Sequence, residues 1–239
     1  MDLPREIVDM ISLYLPLEKM VYISKWAISQ TFKKTPERFY VKKLIKEKDN
    51  YVVIKWLYFN KKVSFDINDF YYSVKMNNTL VMRYFIDNFE ITQPKTVSIL
   101  AVKNNCFNVL RCILSNTQYT KYLSIYTIDT AVINDNLEMF LFLIRYPNIE
   151  KKNPRYYFDI AISNGSLNIL RYFKTEYTMI ISDKSLFNFI KKKSNPKALR
   201  YICKNFNPCV SEKLIRISSL KNDLTFHKIL LKFKEINQS

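Results

Sequence analysis

Few residue types in this chain could carry chemistry, and their numbers limit it sharply. The 239 residues contain one histidine, His227, and four cysteines, Cys106, Cys112, Cys203 and Cys209. A catalytic triad, a Cys-His dyad or a histidine-containing metal site would have to use that single imidazole. His227 lies in LTFHKILLKF, an apolar helical pattern that predicts a packed or partly exposed side chain. The cysteines form two distant pairs with five residues inside each, which is not the spacing of a zinc knuckle or a redox motif. They read as reduced, half-buried packing residues. The chain has one glycine, Gly165, whereas phosphate-cradling loops need several for close backbone approach. Its 21 acidic residues lie scattered among 38 basic ones, with no pair set apart. No catalytic residue, cofactor or metal site is therefore predicted, and a classical enzyme is not expected.

The elements that position these residues come from a repeat. Gly165 lies in AISNGSLNILRYF, from Ala161 to Phe173, and related phrases start at Ala101 (AVKNNCFNVLRCI) and Ala131 (AVINDNLEMFLFL). With Ala161 as reference, small or apolar residues recur eight, nine and twelve positions later, at Ile169, Leu170 and Phe173. The same template starts at Ile45, Ser73, Ala101, Ala131, Ile190 and, more weakly, Ser218, with steps of 28, 28, 30, 30, 29 and 28 residues. Each of these seven units predicts two short helices, such as YYFDIAIS and LNILRYF, joined by a tight turn. Such a reversal favours a residue with positive φ, which glycine adopts freely and asparagine at little cost. Asparagine stands near that place in the other units, at Asn77 and Asn78, Asn104 and Asn105, Asn134 and Asn136, and Asn195, and also at Asn164 beside the glycine.

This pattern resembles the ankyrin repeat, with its alanine, a glycine four residues on, a leucine six on and paired aliphatics at eight and nine. Ala101, Ala131 and Ala161 match the alanine, Leu137, Leu167 and Leu224 the leucine, and only Gly165 the glycine. The T-P-L-H opening is absent apart from Thr96, and the period is shorter than the usual ~33, so projecting β-turn fingers should be short or missing. Divergent repeats of this kind resemble those of large DNA viruses and some protists. The expected fold class is all-α, an α-solenoid of about seven stacked helix-turn-helix, ankyrin-like repeats over residues 36–239. A generic solenoid of helical hairpins is the alternative.

Residues 1–35 carry a separate signal. LPREIVDMISLYLP, with Leu3, Pro4, Ile7, Ile11, Leu15 and Pro16, resembles the start of an F-box, and ISKWAIS from Ile23 resembles its end. The resemblance implies that these six residues bind a Skp-type adaptor of a cullin ubiquitin ligase. The intervening stretch is about one helical turn short of the family pattern, and an amphipathic cap on the repeats is the competing reading.

No apolar run approaches the ~20 residues that span a bilayer, and the acidic, proline-containing N-terminus is unlike a secretory signal, so an intracellular protein, cytoplasmic or nuclear, is expected. Composition shows no linker and no interior domain seam. The net charge of +17 is spread through all repeats and suits solvated turn faces. Two functional classes follow: a monomeric substrate-receptor adaptor holding an acidic protein target, or a stand-alone binding solenoid that touches nucleic acid through its basic surface. In ankyrin-like stacks the concave surface is expected two and three positions after each reference residue. Those positions read Lys75 and Met76, Lys103 and Asn104, Ile133 and Asn134, Ser163 and Asn164, and Lys192 and Lys193, with Arg155 and Tyr157 as the other candidate target surface.

Overall fold

A computed structural model describes residues 38–46, 51–59, 64–147, 149–192, 195–220 and 224–238. The F-box-like segment, with Leu3, Pro4, Ile7, Ile11, Leu15 and Pro16, lies outside the described residues, as does Lys193. The regular structure among the described residues is entirely helical, and none of their helices is long and apolar enough to cross a membrane.

The chain divides into two compact units, Met1–Tyr122 and Leu123–Ser239. In the first, three helix pairs follow one another: α1 (Arg38–Lys46) and α2 (Tyr51–Phe59), α3 (Ile67–Lys75) and α4 (Thr79–Asn88), α5 (Thr96–Lys103) and α6 (Phe107–Ser115). A 3-10 turn at Thr117–Tyr122 packs back on α5 and α6. The second unit holds four pairs: α7 (Thr127–Ile133) and α8 (Leu137–Arg145), α9 (Pro154–Asn164) and α10 (Leu167–Glu176), α11 (Asp183–Lys191) and α12 (Pro196–Phe206), α13 (Glu212–Leu220) and α14 (Leu224–Gln238). Within each unit first helices pack on first helices and second on second, giving two layers. The seam after Tyr122 was invisible in composition because no linker makes it. It arises where Tyr119 and Tyr122 are buried against the first unit.

The repeat template is written in the core. Ile45, Ser73, Ala101, Ala131, Ala161, Ile190 and Ser218 are all at most 2% exposed. Their partners nine and twelve positions on are buried in every unit except at His227, which is half-buried with Nδ1 3.2 Å from the Ser218 hydroxyl. Small residues stand at several reference positions because the chain turns there. The N–H groups of Asn78, Cys106, Asn136 and Ser166 donate to the carbonyls of Ser73, Ala101, Ala131 and Ala161 at 2.8–3.0 Å. The preceding N–H groups, of Asn77, Asn105, Asp135 and Gly165, donate to the residue after each reference position. This double bond pattern is a Schellman turn, closed by one residue in the left-handed region.

That residue is not always the expected asparagine. Positive φ occurs at Asn77 (54°), Asn105 (56°), Asp135 (53°) and Gly165 (68°) in the template, and at Asn207 outside it. Asn104 and Asn134 end their helices with φ of −107° and −81°. Asn78, Asn136 and Asn195 instead open the following helix, their side-chain oxygens accepting from Val81, Met139 and Lys197 N–H. Asn164 is the last residue of α9. Asparagine recurs here for two reasons, a left-handed end and an N-cap, and one residue's shift in register separates them.

The turn residues also join neighbouring pairs. Asn77 Oδ1 accepts from Val109 N–H at 3.1 Å, and Asp135 Oδ1 accepts from Asn168 and Ile169 N–H at 2.8 and 3.1 Å, so each caps the second helix of the next pair. One position on, Asn78 Nδ2, Cys106 Sγ and Ser166 Oγ donate to carbonyls of the preceding pair, at Ile45, Lys75 and Val132. Gly165 has a further constraint. A Cβ there would lie 2.8 Å from Phe189 Cε2 and 3.1 Å from Ala198 Cβ.

Candidate functional site

Each unit exposes a groove along its layer of first helices. In the first unit the groove has a volume of about 540 Å³. Its charged lining is Lys42, Lys75 and Lys103, one exposed lysine from each of α1, α3 and α5, together with Asp66, whose carboxylate accepts from Asn68 N–H. Lys75 and Lys103 hold equivalent positions on packed helices, whose axes lie about 8–10 Å apart, while Lys42 stands more than one turn earlier on its helix. None of the three lysines makes an ion pair among the described residues. A local bond orders one side of the groove, with Thr96 Oγ1 donating to Gln93 O at 2.7 Å and lying 3.2 Å from Tyr71 OH.

The groove of the second unit, about 550 Å³, has different chemistry. Ile133, Ser163, Asn164 and Lys192 line it, and Lys192 Nζ donates to Asn164 Oδ1 at 2.9 Å. Below them, one helical turn earlier on the same faces, stand Asp129 and Asp159. Asp159 Oδ1 accepts from Ser185 Oγ at 2.6 Å and Ser182 Oγ at 3.2 Å, while Oδ2 pairs with Arg155 Nε at 3.3 Å. Asp129 Oδ2 accepts from Tyr156 OH at 2.7 Å and lies 3.6 Å from Lys152 Nζ. The same positional rule thus operates twice, each aspartate receiving a hydroxyl from the next first helix. Lys152 Nζ also donates to Tyr156 OH at 2.7 Å, and this bond, with Asp129 beside it, raises the lysine pKa. Burial raises the Tyr156 phenol.

The predicted target residues therefore separate. Lys75 and Lys103 line the first groove, and Ile133, Ser163, Asn164 and Lys192 the second. Met76, Asn104 and Asn134 line neither, since they are the C-caps whose backbone N–H groups close α3, α5 and α7. Arg155 is engaged with Asp159, its guanidinium 5.7 Å from the Phe158 ring. Tyr157 must be removed from the candidate target surface. It is 4% exposed, its ring packs edge-on against Phe140, and its hydroxyl accepts from Lys152 N–H at 2.9 Å. Tyr157 starts the buried side of α9, whereas Tyr156 faces the groove.

Sequence reasoning missed Lys42, Tyr71, Asp129, Tyr156 and Asp159. The signal for three of them was the i−4 spacing, which places Tyr71, Asp129 and Asp159 one turn before Lys75, Ile133 and Ser163 on the same helix faces. Among the described residues no group of three or more His, Cys, Asp or Glu is placed to hold a metal ion. Cys106, Cys112 and Cys203 are buried free thiols and Cys209 is exposed. Compared with known proteins, the chain matches no family model, no curated protein and no solved structure.

Proposed function

We propose that the chain is a non-catalytic interaction adaptor built on an ankyrin-like solenoid, holding an acidic protein segment on its first-helix faces and docking a Skp-type ubiquitin-ligase subunit through Leu3, Pro4, Ile7, Ile11, Leu15 and Pro16. The observation that carries the target half is that three lysines, Lys42, Lys75 and Lys103, face one groove with no ion pair among the described residues. Opposite charge across such a surface speeds encounter and is weakened by salt. The repeated Schellman turn and the two helical layers support the ankyrin-like reading. The adaptor half rests on the sequence resemblance.

The test has two arms. A Leu3→Ala, Pro4→Ala, Ile7→Ala variant should keep the wild-type melting profile and lose co-purification with a Skp-type subunit; unfolding, or no such partner for the wild type, favours a capping segment. In the other arm, Lys42→Glu, Lys75→Glu and Lys103→Glu together should slow association with a polyglutamate-rich peptide without lowering stability. An unchanged rate moves the target surface elsewhere. Retention of single-stranded nucleic acid in place of the acidic peptide selects the stand-alone, basic solenoid.

A further inference from the structure

The second groove ends in an arrangement that the three lysines of the first do not explain. Asp129 is 5% exposed, and its Oδ1 is buried without a hydrogen-bond partner. The corresponding Asp159 has both oxygens engaged. Above Asp129 the Lys152 ammonium lies 3.9 Å from the centre of the Tyr156 ring and 5.8 Å from that of Tyr126. Tyr126 is 55% exposed and stands on the groove wall. Two aromatic rings and a buried carboxylate around one cation are the elements of a cation-recognition site. Its occupant is a residue of the same chain, from the segment between α8 and α9.

We propose that this pocket is a binding site for an arginine side chain of a partner protein, and that Lys152 is its built-in competitor. Lysine fills the site as a point charge and reaches one carboxylate oxygen, leaving Oδ1 unmet. A guanidinium presents a planar fork that can serve both oxygens of a carboxylate while stacking on a tyrosine face. Lys152 is displaceable, since its side chain is 35% exposed and its ammonium lies 3.6 Å from the carboxylate. Its backbone stays fixed by the N–H bond to Tyr157 while the side chain swings out. In-chain competition lowers the apparent affinity for any partner by the fraction of time the site is open.

The partner is thus opposite in charge to the one proposed for the first groove, and the two readings fail independently. An arginine peptide approaches a chain of net charge +17, so added salt relieves long-range repulsion while leaving the half-buried pair largely unscreened. Its binding should hold or tighten as salt is added, where binding of an acidic segment weakens.

The experiment is titration of the full chain with a labelled Gly/Ser peptide carrying one central arginine, followed by anisotropy, with the citrulline peptide as the uncharged control. Lys152→Ala is expected to bind the arginine peptide at least tenfold more tightly than wild type and to ignore citrulline. Adding Asp129→Asn or Tyr126→Ala to Lys152→Ala should abolish that gain, and Tyr126 is exposed enough to be truncated without touching the core. Should Lys152→Ala leave the carboxylate too poorly compensated to fold, Lys152→Gln, which keeps a neutral hydrogen-bond donor in the side chain, takes its place under the same criteria. Equal affinity of wild type and the Lys152 variant, or binding that survives loss of Asp129, overturns the proposal.

Discussion

Gly165→Ala is a small perturbation with a large expected cost. The residue sits at φ 68° and ψ 35°, where a Cβ carries a penalty of roughly 1–2 kcal/mol. The added carbon would also stand 2.8 Å from the edge of Phe189 and 3.1 Å from Ala198, both fully buried, so neither can move into open space. Overpacking of this kind typically costs about 1–3 kcal/mol. Together the two effects predict destabilisation of roughly 2–5 kcal/mol, confined to the second unit. Calorimetry should show a transition lowered by about 5–15 °C, and hydrogen exchange should accelerate in α9 to α12. A Phe189→Leu background separates the two causes, because removing the ring edge should recover about 1 kcal/mol of the loss as a coupling energy. Asn207→Gly, which relieves a positive φ at an exposed position, should be neutral or slightly stabilising. A melting profile for Gly165→Ala identical to wild type would refute both the turn geometry and the close approach of Phe189.

Asp135→Ala removes the acceptor for two N–H groups at the start of α10 and should cost about 1–2 kcal/mol, measured by urea denaturation, with Asp135→Asn retaining most of the stability. Cys209 should react first with a thiol reagent, while buried Cys106 and Cys203 react only as the chain opens. Burial pushes the Cys203 thiol up from about 9 to about 12. Between those values the unfolded chain has lost a proton that the folded chain still holds, so stability should fall as pH rises through that window, and Cys203→Val should flatten the slope.

Much of this molecule was legible in one dimension. A period of 28–30 residues is a local property, and apolar residues eight, nine and twelve places after a small one must share a face whatever lies around them. The all-helical fold and the buried template positions followed from that alone, while first-helix core residues such as Phe70, Phe158 and Phe189 lie outside the template. Which residue of each turn takes the left-handed conformation did not, because Asn104 and Asn105 are chemically identical and only the register of the Schellman bonds tells them apart. Asp135 does not stand out from its asparagine neighbours in sequence, because its second task, capping a helix 33 residues away, exists only once the pairs are stacked. The lone glycine was readable as a turn, but the reason no asparagine replaces it is the ring of Phe189 in the next pair. The same holds for the grooves. Lysine and aspartate are plain in the sequence, but whether a charge stands free, as at Lys75, or is held between two tyrosines, as at Lys152, depends on which helix packs beside it, and tertiary structure alone decides that.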